Sequence, residues 1–156
     1  MTKVKTHTMI ARVVSEGDWD KIAWLASDET QEDVHINIDA GWVKNRRVPV
    51  SERFDAVIEQ CGEVVGYVAL ERRHKNEGFR AFVVMDWINC DESIAEAAYE
   101  KLERMISENE ISKVWMREMA GDVSLVSFME RHGFRVDKRY DYEGYELVNL
   151  YKIYEA

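Results

Sequence analysis

Two short runs of cations are the residues of this chain best suited to binding phosphate. They are Arg46-Arg47 and the run from Arg72 to Lys75, which follows a strand-like segment. Paired cations after a strand could contact the phosphates of a nucleotide-like cofactor. A basic run in that position is also typical of a solvated loop, and the solvated loop is the favoured interpretation.

Other kinds of site chemistry have little support in the sequence. The histidines and cysteines are few: His7, His35, His74, His132, Cys61 and Cys90. Their spacings match no pattern of metal ligands, so no metal site is predicted. No GxSxG or other nucleophile motif occurs. The two cysteines fall in a predicted turn and at a predicted strand end, and we expect reduced thiols because nothing indicates secretion.

Length and charge limit the class of protein. A chain of 156 residues with 46% hydrophobic residues predicts one domain, 1–156, with one substantial core. The formal net charge of -9 argues against nucleic acid as a general partner, because phosphate binding needs a basic face. No long apolar run follows the first charges or approaches the length of a membrane span. We therefore expect a cytoplasmic protein with no membrane partner.

The clearest element is a helix from Glu92 to Asn109. Its apolar residues fall on one stripe at helical spacing: Ile94, Ala98, Leu102, Met105 and Ile106. Ser93 and Glu96 have the spacing of a capping box at its start. From Asp86 to Glu110 the chain has eight acids against two cations, so this helix is expected to be strongly acidic.

The strands are predicted from runs of alternating or continuous apolar residues. The run Arg80–Ile88 is apolar on both faces, which favours a central strand. Phe54–Gln60 and Val64–Arg72 are joined by Cys61-Gly62-Glu63, which predicts a hairpin.

Elements at the two ends complete the predicted order. We expect a first strand at Met9–Val14, a helix at Gly17–Ser27, and a closing hairpin of Arg135–Tyr142 with Tyr145–Tyr154. The stretch Thr30–Ser51 is predicted to be irregular, with one short helix at Ala40–Val43.

The stretch from Lys113 to Phe134 joins a strand to a short helix. Val114 and Met116 lie on one face of the predicted strand. Asp122 can cap the following helix, which carries Val123, Val126 and Met129 on one face. Gly133 supplies a left-handed helix stop before Phe134.

This strand, helix and terminal Gly-Phe resemble the second half of the GNAT N-acetyltransferases, the acyl-CoA N-acyltransferase fold. Residues 127–134, SFMERHGF, stand where that family usually has xFYEKLGF. The order and length of the other elements resemble the family over nearly the whole chain. The resemblance implies an α/β (α+β) fold with a central, mixed, twisted sheet flanked by helices on both faces.

The resemblance also implies a cofactor loop between the central strand and the main helix. The family's usual form is V-x-P-x-x-R-G-x-G-x-G/A, whose amides hold the pyrophosphate of CoA. With the main helix in register, the implied cofactor-binding residues are Met85, Trp87, Cys90, Asp91, Glu92, Ser93, Ile94 and Ala95, with Asp122 where the family commonly has an asparagine.

Only Ala95 matches the glycine-rich part of that pattern. Cys90 replaces the arginine, and Asp91 and Ser93 replace glycines. A carboxylate about 4 Å from a phosphate charge costs on the order of 4 kcal/mol at an effective dielectric near 20. We therefore expect acetyl-CoA to be the cofactor and to bind weakly.

For acetyl transfer, Asp86 is the best-placed candidate for the catalytic base, and Glu71 is second. The alternative for Asp86 is a carboxylate at a strand end facing water. Met129 stands where the family often has a tyrosine that protonates the leaving thiolate, and methionine has no proton to give. Tyr140 or Tyr142 could replace it. Tyrosines at this density are also typical of sheet packing and interfaces, so a homodimer is left open.

The sequence leaves three classes of function open. The first is an acetyl-CoA-dependent N-acetyltransferase acting on a small-molecule or peptide amine. The second is a GNAT-fold binding or regulatory module that has lost CoA binding and catalysis. The third is an acyltransferase that uses a donor other than CoA. The family's activity is the nominal function, and the acidic composition would suit a cationic acceptor such as a polyamine or a lysine-rich peptide.

Overall fold

The computed structural model describes residues 9–27, 29–32 and 52–154. The short helix predicted at Ala40–Val43 and the pair Arg46-Arg47 lie outside these residues. The described elements, in chain order, are β1 (Met9–Arg12), a 3-10 turn (Glu16–Asp18), α1 (Trp19–Leu25), β2 (Arg53–Gln60), β3 (Glu63–Glu71), β4 (Phe79–Met85), α2 (Glu92–Glu108), β5 (Lys113–Met119), α3 (Val123–Arg131), β6 (Arg135–Tyr142) and β7 (Tyr145–Ile153).

The described strands form one mixed sheet. Its order is β1-β2-β3-β4-β5-β7-β6, so β4 is the fourth of seven strands and is central, as predicted. The β4–β5 pair is parallel, and the other neighbours are antiparallel. A parallel pair needs a crossover connection, which α2 provides between β4 and β5.

Helices cover both faces of the sheet, which confirms the predicted architecture. On one face, Ala81, Val83 and Met85 of β4 join the main core with α2 and α3. On the other face, Phe82 and Val84 pack with α1. β4 therefore has apolar side chains in both directions because both of its faces are covered. None of the described helices is long and apolar enough to cross a membrane.

The three longer predicted helices are confirmed within the described residues, with one correction to their packing. In α2 the apolar stripe is buried at Ala98, Leu102, Met105 and Ile106, and Ile94 is half-buried. In α3, Val126 and Met129 are buried as predicted, but Val123 is 59% exposed. The buried stripe of α3 is Leu125, Val126, Phe128 and Met129. At roughly 100° per residue, Val123 points well away from the centre of that stripe.

The two predicted hairpins turn through two-residue loops. Cys61 and Gly62 join β2 to β3 with φ of 52° and 78°, and Glu143 and Gly144 join β6 to β7 with φ of 50° and 85°. Positive φ at both positions is the geometry whose twist matches the flanking strands. Glycine at the second position adopts it without the steric cost of a Cβ atom.

An ion pair fixes α1 against the sheet. The Asp18 carboxylate accepts hydrogen bonds from the Arg12 guanidinium at 2.8 and 3.0 Å. It also accepts one from the Ser15 amide at 2.8 Å. The Asp18 side chain is 9% exposed. The hydrogen bond from Arg12 is the main cause that lowers the pKa of Asp18 to about 2.

Asp18→Asn is expected to lower the unfolding free energy at pH 7 on the order of 1 kcal/mol, after allowance for screening by nearby solvent. Because the folded-state pKa is depressed, this contribution is present above about pH 4 and is lost as the pH falls towards 2. Urea unfolding of both proteins at several pH values measures the difference. If the difference in unfolding free energy between the two proteins stays constant down to pH 2, the ion pair is not the cause of the lowered Asp18 pKa.

Candidate functional site

The two parallel strands at the centre of the sheet diverge. Within the described residues, β4 pairs with β5 only at Phe79 with Val114 and Arg80 with Trp115. β4 continues to Met85, and β5 continues to Met119. The carboxyl ends of the two strands therefore border an opening in the sheet, between the start of α2 and the start of α3. An opening at the carboxyl ends of parallel strands is where α/β sheets place ligands.

A buried carboxyl group lies on β5 beside this opening. Glu118 is 3% exposed, and Asp122 at the start of α3 is 1% exposed. Burial is the main cause that raises the pKa of Glu118 to about 8, and the nearby Asp122 acts in the same direction. Arg80 and Arg117 act in the opposite direction. Glu118 can therefore hold or release a proton just above neutral pH, which is the property of a general acid or base.

Glu118 is not among the residues predicted from the sequence, although a signal for it is present there. Strand alternation places Glu118 on the face of Val114 and Met116, which both lie in the main core. A carboxylate at an inward-facing position of a strand is rare enough to mark a candidate site.

Asp86, the predicted base, lies at the end of β4 in a local turn. Its carboxylate accepts a hydrogen bond from the Asn89 amide at 3.0 Å and one from the Asn89 side chain at 3.2 Å. Its role in catalysis stays a prediction. Glu71, the second candidate, pairs with Arg80 in the β3–β4 register. That pair is at the amino end of β4, away from the opening.

Asp91 is the N-cap of α2, and this corrects the predicted capping box. The Asp91 carboxylate accepts hydrogen bonds from the Ser93 amide at 2.9 Å and the Ser93 hydroxyl at 2.6 Å. The hydroxyl is the main cause that lowers the pKa of Asp91. Asp91 has extended backbone angles and the helix starts at Glu92, so Ser93 lies in the first turn and cannot be the N-cap. Glu96 instead contacts the His132 ring at 3.0 Å.

The remaining residues of the predicted cofactor loop differ in how far their side chains are exposed to solvent. Ala95 is fully buried, Ile94 is half-buried, and Cys90 and Glu92 are exposed. The Cys90 thiol is only partly shielded from water, and this partial desolvation, followed by the charge of Glu92, raises its pKa. Glu92 pairs with Arg131 of α3 at 3.4 Å. The loop lies at the start of α2, as predicted, but a carboxylate of the chain already bonds the amide that a pyrophosphate would need.

Met85 and Trp87 lie at the opening, but their polar groups are bonded within the chain. The Met85 carbonyl accepts a hydrogen bond from the Gln31 side chain at 2.9 Å. Trp87 is 1% exposed, and its indole N–H donates to the Val83 carbonyl at 3.5 Å. Its ring packs on Phe128 with centroids 5.8 Å apart.

Asp122 is the N-cap residue of α3, but its side chain makes no capping hydrogen bond, contrary to the prediction. The Glu32 carboxylate accepts from the Ser124 amide at 2.6 Å and bonds that first turn instead. The Asp122 side chain is buried close enough to Glu118 to influence its pKa.

The cations that could bind phosphate lie at the other end of β4. The run Arg72–Lys75 precedes β4, whereas the cofactor loop follows it. A strand of that length separates them by about 20 Å. Arg72 is bonded to Glu52 at 2.5 and 3.0 Å and stacks on Phe79. Arg72 is therefore bonded within the chain and lies away from the predicted cofactor loop, which favours the loop interpretation of this run over a phosphate site.

Met129 stands where the resembling family often has a tyrosine that protonates the leaving thiolate, and the two tyrosines that could replace it differ in position. Met129 is fully buried in the core. The Tyr140 hydroxyl donates to the Asn149 side chain at 3.3 Å. The Tyr142 ring is 48% exposed, and the Arg117 guanidinium lies 5.9 Å from its centroid. Tyr142 therefore contacts a β5 side chain, but it lies on β6, which β7 separates from β5. Among the described residues, no group of three His, Cys, Asp or Glu side chains could hold a metal ion.

Comparison with known proteins supports the fold through structure alone. No protein-family model matches the chain, and no curated protein sequence matches it. A ribosomal-protein-alanine N-acetyltransferase from Brucella melitensis is similar in structure, with a TM-score of 0.70 and 18% identity over 93% of this chain and 99% of that one.

Two further solved structures of acetyltransferases are also similar to this chain. A GNAT-family acetyltransferase from Bacillus anthracis has a TM-score of 0.70 and 14% identity over 96% of this chain and 97% of that one. A spermidine/spermine N-acetyltransferase from Vibrio cholerae has a TM-score of 0.68 and 13% identity over 93% of this chain and 92% of that one. The chain therefore has the GNAT fold.

Proposed function

We propose that this protein, which has the GNAT fold, is an N-acetyltransferase. It would take the acetyl group from acetyl-CoA and pass it to an amine. The observation that carries the proposal is the opening between β4 and β5 with the buried carboxyl of Glu118 beside it. Fold alone is a weak argument for activity, because one fold hosts many functions. A buried group with a pKa of about 8 at the opening adds an argument from the site itself.

Glu118 is proposed as the general base. Acetyl transfer needs a neutral amine, so a proton must leave the acceptor's ammonium group before its nitrogen can react. A carboxylate with a pKa near 8 accepts such a proton more readily than an ordinary glutamate does. Asp86 is retained as the rival for this role, since it follows the end of β4, the strand on the other side of the opening from Glu118.

The acceptor is proposed to be a small-molecule or peptide amine that carries positive charge. The net charge of -9 would attract a cation. The similar structures include proteins named for spermidine and for a ribosomal-protein alanine, both of which are amine acceptors. A polyamine and a lysine-rich peptide are therefore the first acceptors to test.

The opening and the predicted cofactor loop together form the donor site, where acetyl-CoA would bind, and their residues do not fit acetyl-CoA in this structure. Asp91 bonds an amide of α2 where a pyrophosphate would bind, and Gln31 bonds the Met85 carbonyl at the opening. These contacts favour a second candidate, a GNAT-fold binding or regulatory module that has lost CoA binding.

A thiol-release assay separates the two candidates. The protein is mixed with acetyl-CoA and either spermidine or a lysine-rich peptide, and free CoA thiol is measured from pH 6 to 9. The enzyme is expected to show acceptor-dependent thiol release that rises towards about pH 8, because Glu118 must first lose its proton. No acceptor-dependent release at any pH would favour the second candidate.

A further inference from the structure

Three consecutive residues, Thr30 to Glu32, connect the two sides of the opening, and we call them the closing segment. The Thr30 carbonyl accepts hydrogen bonds from the amides of Trp87 at 2.8 Å and Ile88 at 3.2 Å, just after β4. The Glu32 carboxylate accepts from the Ser124 amide at 2.6 Å, in the first turn of α3, which follows β5. The closing segment therefore spans the mouth of the opening.

The edge of β4 that faces the opening is bonded to side chains of the same chain. Carbonyls two residues apart on a strand point to the same edge, so those of Val83 and Met85 share one. Gln31 donates to the Met85 carbonyl at 2.9 Å, and the Trp87 indole donates to the Val83 carbonyl at 3.5 Å. Neither donor belongs to β3, which pairs with the opposite edge of β4.

Buried contacts hold the closing segment in place. Thr30 is fully buried, and Gln31 is 4% exposed. The Thr30 hydroxyl donates to the Leu25 carbonyl at 2.5 Å, and the Gln31 side chain donates to the same carbonyl at 2.7 Å. The segment is therefore fixed to the end of α1 as well as to both sides of the opening.

The groups that make these contacts are of the same kinds as those of an acyl donor with a pantetheine arm and phosphates, namely N–H donors and anions. Amide N–H groups of such an arm would suit carbonyls on a strand edge, and phosphates would suit amides at a helix start. In this chain Gln31 and Trp87 supply the N–H groups. Asp91 supplies the anion at α2, and Glu32 supplies the anion at α3.

We infer that the closing segment occupies the donor site and that an acyl donor binds only after displacing it. The inference rests on the proposed function. The apparent affinity for the donor is then the intrinsic affinity multiplied by the small fraction of molecules in which the segment has moved away. Changes that weaken the segment without touching the donor's own contacts should tighten donor binding.

The test compares Glu32→Ala, the double variant Gln31→Ala/Glu32→Ala, and Glu29→Ala as the matched control. Glu29 lies one residue before the segment and accepts from Trp24, so its removal deletes the same charge without touching the opening. Calorimetry with acetyl-CoA is expected to show at least about fivefold tighter binding for Glu32→Ala, more for the double variant, and no change for Glu29→Ala. Thermal unfolding checks that each variant is folded. Glu32 is exposed, so Glu32→Ala keeps the test valid if the double variant is not folded.

Amide hydrogen exchange provides a readout that needs no ligand. The Ser124 amide should exchange faster in Glu32→Ala than in the wild type and in Glu29→Ala, because it loses its acceptor. Equal exchange in all three would overturn the inference. So would saturable acetyl-CoA binding of equal strength in wild type and variants, which would leave the proposed function intact. Absence of binding by every variant would instead reject acetyl-CoA as the donor, and the inference with it.

Discussion

Glu118→Gln is expected to lower the turnover number by roughly 10²- to 10⁴-fold, the usual contribution of a general base. Glutamine has nearly the same shape as glutamic acid but cannot accept the proton of the acceptor's ammonium group. Acetyl-CoA affinity should be nearly unchanged, since the proposed role concerns the acceptor's proton and not donor binding. Initial rates and a separate binding titration measure the two effects.

Asp86→Asn is the matched control for this prediction. It also replaces a carboxylate with an amide at the end of the opening, where Asp86 lies in the turn with Asn89. If Glu118 is the base, Asp86→Asn keeps most of the turnover. A large loss in Asp86→Asn together with near-normal turnover in Glu118→Gln would assign the base to Asp86.

The same Glu118→Gln variant should change the pH dependence of stability. The pKa of Glu118 is raised from 4.5 to about 8, so between these values the carboxyl is neutral when folded and ionised when unfolded. Unfolding then releases a proton, and the unfolding free energy falls as the pH rises through this window. Linkage gives a loss of about 3 kcal/mol between pH 5 and pH 8. Urea unfolding should show this loss in the wild type relative to Glu118→Gln, and parallel pH profiles would contradict it.

Restoring the cofactor loop with Cys90→Arg, Asp91→Gly and Ser93→Gly is expected to tighten acetyl-CoA binding by roughly 10- to 100-fold. The triple variant adds one cation, removes the carboxylate that bonds the Ser93 amide, and lets the backbone approach a phosphate. Each of these effects is of order 1 kcal/mol or more. Removing the N-cap also costs about 1 kcal/mol of stability, so the titration is done well below the unfolding temperature.

A control on the same helix separates site chemistry from net charge. Glu108→Gln removes one negative charge at the other end of α2, and it should leave acetyl-CoA affinity unchanged because that end is more than a Debye length from the loop. Equal tightening in the control and the triple variant would mean that overall charge, and not the loop, limits binding.

The architecture could be predicted because the apolar pattern and the required packing agree. Arg80–Ile88 is apolar on both faces, and β4 is central with both faces covered. The stripe Ala98, Leu102, Met105 and Ile106 has helical spacing and is buried. In both cases the residues that define the period also make the contacts. Ile88 is the exception: the strand was predicted to reach it, but β4 ends at Met85 and Ile88 is 51% exposed.

The site could be predicted only in part, because its contacts join residues far apart in the chain. Gln31 bonds Met85, and Glu32 bonds Ser124, and no local pattern indicates either contact. Ser93 was predicted as the N-cap of α2, but Asp91, two residues earlier, is the N-cap. Local propensity does not distinguish them, because both side chains can cap a helix. Glu118 was detectable from strand alternation, but its raised pKa depends on burial by the fold.

A calorimetric titration of the wild-type protein with acetyl-CoA tests the central claim most directly. An N-acetyltransferase whose donor site is occupied by its own Asp91 and closing segment should bind acetyl-CoA saturably but weakly. The dissociation constant should lie in the high micromolar range, equivalent to a binding free energy weaker than about 6 kcal/mol. Failure to saturate at millimolar acetyl-CoA would contradict the proposed activity, and a low-micromolar dissociation constant would contradict the closed donor site.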